Sequence, residues 1–78
     1  MRSAALPATI SLECFRAWPL PQQAALLFAE GTLLAYRWET HRAVGLYQLA
    51  DFFCELSYDT TTYALRGTRA FTHLTDFV

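Results

Sequence analysis

The spacing of apolar residues along this chain changes once, at Gly31. Before it the spacing is helical. Leu20, Ala24, Leu27 and Phe28 form one stripe, Gln22, Gln23 and Glu30 take the other side, and Pro21 stands where a first helical turn tolerates a missing N–H. This pattern predicts a helix over Pro21–Glu30 with Gly31 as a left-handed cap. Upstream, Ser11 followed by Leu12, Phe15 and Trp18 predicts a short helix ended by Pro19. The alternation of Ile10, Leu12 and Cys14 is the competing strand reading. Residues 1–8 show no period and are expected to be a mobile tail, leaving 9–78 as one domain.

After Gly31 the period is two. Thr32–Glu39, Val44–Gln48, Phe52–Tyr58 and Tyr63–Phe71 read as strands, with turns at Thr40–Arg42, around Ala50-Asp51, and at Asp59–Thr62. Asp59 begins its turn, where its carboxylate can accept from the backbone two residues on. Thr72 is expected to cap a last helical turn holding Leu74, Phe77 and Val78. The fold class predicted is α+β: an N-terminal helix or helical hairpin packed on a four-stranded antiparallel β-meander.

A one-residue slip would turn every side chain of a strand to the other face, so burial argues for a register. With three-residue first and second loops, one face collects Leu34, Tyr36, Trp38, Val44, Leu46, Phe52, Cys54, Leu56, Tyr58, Tyr63 and Leu65. That face is the expected core. The opposite face then sets Arg37, Gly45, Glu55 and Arg66 in one row, with Tyr47 and Phe53 as an aromatic pair and Leu33 and Ala35 nearby. Glu55 between two arginines reads first as a cross-strand charge ladder. Tyr47 and Phe53 would be costly to leave wet, so either the C-terminal segment (Leu74, Phe77, Val78) or a partner is expected to cover them.

Composition sharpens this picture. The 78 residues are 54% hydrophobic and 15% aromatic but only 17% charged, against about 25% charged in an ordinary globular domain. So sparse a charge on so small a chain points to a second copy or another protein as company. The net charge of −1 argues against nucleic acid, which is held mainly by basic surface. All six basic residues are arginine, which makes planar and bidentate contacts that lysine does not. No apolar run reaches the length of a membrane span and no leader pattern precedes Ile10, so the expected location is cytoplasmic, with Cys14 and Cys54 as buried thiols.

Candidate chemistry is thin. His41 and His73 stand apart, with no cysteine, histidine or carboxylate at ligand spacing, so neither metal nor cofactor is expected. Nucleotide-binding glycine patterns, a nucleophile elbow and paired acid–base carboxylates do not occur, which argues against an enzyme. The strings Leu-Pro-Gln-Gln-Ala-Ala-Leu-Leu-Phe-Ala-Glu-Gly (20–31), Gly-Leu-Tyr-Gln-Leu (45–49) and Phe-Phe-Cys-Glu-Leu-Ser-Tyr-Asp (52–59) resemble a set of small bacterial proteins of uncharacterised role. The resemblance implies the order helix, glycine, meander, and no activity. The expectation is therefore a non-enzymatic interaction module, binding a protein partner or a second copy through Leu33, Arg37, Tyr47, Phe53, Glu55 and Arg66, or through an edge strand. The alternative is a small anionic-ligand or nucleotide-binding domain using Arg37 and Arg66.

Overall fold

The computed structural model describes residues 10–74. The expected tail at 1–8 and the closing turn with Phe77 and Val78 lie outside them; Leu74, the one expected cover residue described, is exposed. Two helices, α1 (Leu12–Ala17) and α2 (Leu20–Glu30), precede four strands, β1 (Thr32–Glu39), β2 (Arg42–Leu49), β3 (Phe52–Asp59) and β4 (Leu65–Phe71). The strands form one antiparallel sheet in the order β1-β2-β3-β4. The helical hairpin lies on one face of it, so the α+β meander reading holds.

Local chemistry explains the helix ends. Ser11 Oγ accepts from the Cys14 N–H at 3.1 Å, which starts α1 and settles residues 12–17 as helix rather than strand. Pro19 and Pro21 bracket the start of α2, and the Pro19 carbonyl accepts from both Gln22 and Gln23. Gly31 ends α2 differently from the expectation, since its backbone is extended (φ −79°, ψ 157°) rather than left-handed. Glycine is needed there for closeness: a Cβ would meet the Leu27 carbonyl oxygen at 2.7 Å.

Gln23, expected on the solvent side of α2, is buried. Its Nε2 donates to the Phe15 carbonyl at 2.7 Å and its Oε1 accepts from Thr68 Oγ1 at 2.6 Å. One buried amide thus ties α1, α2 and β4 together with its oxygen and its nitrogen both occupied. Arg16 adds a second tie, its Nη2 donating to the Ala70 carbonyl at 2.7 Å.

The largest departure from the expectation is the phase of β2. Both turns flanking it have two residues, Thr40-His41 and Ala50-Asp51, so Glu39 pairs with Arg42 and Leu49 with Phe52. His41 (φ 64°) and Ala50 (φ 54°) take the left-handed conformation that such tight loops demand. The three-residue loops expected above are therefore corrected, and β2 turns over. Gly45 and Tyr47 join Trp38, Tyr36 and Leu33 on the helix side, while Val44 and Leu46 point to the other. Two bulges complete the register, with Leu34 the extra residue in β1 and Arg66 the extra residue in β4.

The core lies under the helices at one end of the sheet: Phe15, Ala24 and Leu27 pack with Leu49, Phe52, Cys54, Leu56 and Ala70. Phe52, Cys54 and Leu56 were expected there. Leu34, Tyr36, Trp38 and Tyr63 were also expected in the core but are exposed. Two substitutions separate these groups. Leu56→Ala is expected to cost about 2–5 kcal/mol through the cavity it leaves, and Trp38→Ala less than about 1 kcal/mol, as at an exposed site. Urea titration measures both; equal costs would contradict this core. In the same titration Ala50→Gly should gain about 1 kcal/mol, because glycine removes the left-handed Cβ penalty; a loss would contradict the two-residue turn.

Candidate interaction surface

The sheet has two very different faces. The outer one carries a chain of ion pairs. Glu39 accepts from Arg37 Nε at 2.7 Å and from Arg42. Arg37 also reaches Glu55 at 4.0 Å, and Glu55 is held by both arms of Arg69, Nε at 3.3 Å and Nη2 at 3.1 Å. The Arg69 guanidinium lies 4.8 Å from the centre of the Phe71 ring, which stands beside Phe53. Such charge-assisted forks are the contacts for which arginine differs from lysine.

The Arg37–Glu55 pair joins β1 to β3 and so runs across β2 on the face to which Val44 and Leu46 point. Those two residues keep only 2% and 4% of their surface despite having no helix on their side. The aliphatic stems of paired arginines and glutamates shield apolar surface in this way. An open depression remains beside them, lined by Arg42, Glu55, Ser57, Gly67, Thr68 and Arg69. Its Ser57 hydroxyl donates to the Gly67 carbonyl, and Glu55 is held by Arg69.

The inner face is covered over only part of its length. α2 has eleven residues and α1 six, about 16 Å and 9 Å of helix, against strands of eight residues that extend about 26 Å. Beyond the helices lie Leu33, Tyr36, Trp38 and Tyr58, with Phe28 at the end of α2; Tyr63 is exposed in the β3–β4 connection. Trp38 is 67% exposed and Tyr63 76%. The cluster is ordered: Tyr36 stacks on Trp38 with centroids 5.9 Å apart, its hydroxyl lies 3.0 Å from that of Tyr58, and Phe28 meets Tyr47 edge-on at 6.2 Å. The hydrogen bond to Tyr36 raises the Tyr58 pKa, and burial raises that of Tyr47.

The six residues singled out from the sequence are accordingly divided. Arg37, Phe53 and Glu55 lie on the outer face, Leu33 and Tyr47 on the inner. Gly45, placed in the arginine row, is buried on the inner face, and Arg69 stands where Arg66 was expected. Arg66 instead faces Asp59 at 3.7 Å. The residues missed are Tyr36, Trp38, Tyr58 and Phe28. Glu39 and Arg42, opposite charges on either side of Thr40-His41, were the signal for the shorter loop that sets the phase of β2.

Among the described residues no group of three histidines, cysteines or carboxylates is placed to hold a metal ion, and no helix is long and apolar enough to cross a membrane. No family model, curated protein or solved structure matches the chain.

The titratable groups give two predictions. Asp59 Oδ1 accepts from the N–H groups of Thr61 and Thr62, as expected of a turn-opening aspartate, and these bonds hold its carboxyl below the ordinary 3.8. Arg37 and then Arg42 likewise hold Glu39 below its ordinary 4.5. A folded pKa below the unfolded one means stability present above the unfolded value and lost as pH falls through the folded one. Stability should therefore drop as pH falls below about 4.5, and Asp59→Asn, which keeps the acceptor but cannot ionise, should flatten the drop; an unchanged slope would contradict the turn geometry. Cys14, expected to be buried, is exposed, whereas burial pushes the Cys54 thiol up to about 12. A thiol reagent at pH 8 should modify one cysteine quickly and the second only on unfolding. Rapid modification of both would contradict the packing of β3.

Proposed function

We propose that this chain is a non-enzymatic interaction module whose binding surface is the uncovered half of the inner sheet face. The observation that carries the reading is the cluster of Tyr36, Trp38, Tyr58 and Leu33 beyond the reach of the helices, with Phe28 at its margin. Aromatic side chains with few rotatable bonds and polar tips are the residues most enriched at protein interfaces. Ordered by stacking and by the Tyr36–Tyr58 hydroxyl contact, they lose little further freedom on binding.

The interaction reading is preferred to the anionic-ligand one because Arg37 and Arg66 do not share a row and each faces a carboxylate. A photo-crosslinking amino acid placed at position 38, or at the exposed outer-face position 48, tests the proposal in cells expressing the full chain. A discrete adduct is expected from position 38 alone. Equal labelling from both positions, or none from 38, would overturn it.

A further inference from the structure

The two edges of the sheet are not equivalent. On β4 the outward carbonyl of Ala70 is occupied by Arg16, and both helices pack against the strand. On β1 six of eight residues are exposed, and the main contacts of the helices are with β4 and β2. Across a two-residue turn the closing pair Glu39–Arg42 exchanges its backbone bonds, so Arg37 and Glu39 direct N–H and C=O toward β2. Trp38 and Tyr36 direct theirs outward, and the bulge at Leu34 shifts the phase so that Leu33 does too. The residues with open backbone groups are thus the ones whose side chains make the uncovered aromatic face.

We propose that β1 pairs antiparallel with β1 of a second copy of this chain, about a two-fold axis perpendicular to the sheet at Trp38. The inference rests on the interaction reading above and names its partner. A perpendicular axis keeps inner face with inner face, so the aromatic clusters of the two copies become one surface. Charge selects the register. With Trp38 opposite its own mate, Arg37 lies opposite Glu39 of the second copy, and Glu39 opposite its Arg37, a favourable cross-strand arrangement. Moving the axis to Arg37 would set that arginine against itself. Because the pairing joins β1 to β1 about a two-fold axis, it is self-complementary and closes at two, rather than propagating as a strand-on-strand fibre.

Sedimentation equilibrium tests this on the full chain up to millimolar concentration. The 8.9 kDa chain is expected to approach twice its mass. Trp38→Pro removes the outward N–H without touching a β1–β2 bond and should stay monomeric with its sheet circular-dichroism signal intact. Trp38→Val keeps the N–H and should still associate. Hydrogen exchange at the Tyr36 and Trp38 amides, slowing several-fold from low to high concentration, gives the same answer without a substitution. Association abolished equally by Trp38→Val and Trp38→Pro, with no concentration-dependent slowing, would overturn edge pairing but leave the aromatic surface standing. A wild-type monomer throughout would overturn the second copy, and adducts from position 38 would then show whether the surface reading falls with it.

Discussion

The phase of β2 is the constraint from which the rest of this structure follows. Two-residue turns at Thr40-His41 and Ala50-Asp51 fix that phase at both ends, at the cost of two non-glycine residues in the left-handed region. Because side chains alternate strictly along a strand, that choice sends Gly45 and Tyr47 under the helices and Val44 and Leu46 to the far face. Gly45 is suited to its position, since a Cβ there would press on Tyr47 at 3.1 Å. The turns therefore decide which apolar residues find a helix and which must be covered otherwise.

Each face solves its covering differently. Outside, Val44 and Leu46 are shielded by a lattice of arginine–glutamate pairs, which needs no extra chain and suits a protein with few charges. Individually such exposed pairs contribute little; their value here is that they hold long side chains over apolar surface. Inside, the helical hairpin is pinned to β4 by Gln23 and Arg16, and this pinning draws it away from β1. The aromatic cluster is left bare because the helices are anchored at the opposite edge.

Much of the fold is legible in the sequence and its phase is not. The switch of period at Gly31, the Ser11 cap, the proline start of α2, the Asp59 turn and the β3 residues Phe52, Cys54 and Leu56 all follow from local chemistry that acts on its own neighbours. The apolar pattern within β2 gave no such signal, because Val44 and Leu46 in one phase are as apolar as Ala43, Tyr47 and Leu49 in the other. Alternation cannot orient a strand that is apolar on both sides, so the decision passes to turn length. The candidate surface inherited that ambiguity: Arg37, Phe53 and Glu55 were assigned to the correct face, whereas Leu33 and Tyr47 changed sides with the register; Tyr36 and Trp38 kept the expected face but are exposed on it rather than buried. Gln23 was hidden for another reason, since its burial depends on Thr68, far along the chain.

Cross-strand proton contacts measure the phase of β2 directly. In an antiparallel ladder the pairs that do not exchange backbone bonds bring their Hα atoms together. Two-residue turns make Trp38–Ala43 and Tyr36–Gly45 such pairs on one side of β2, and Val44–Ser57 and Leu46–Glu55 on the other. Strong Hα–Hα nuclear Overhauser effects are expected between the members of all four pairs. Effects linking Trp38 to Val44 and Tyr36 to Leu46 instead would contradict the phase, and with it the placement of the bare aromatic face.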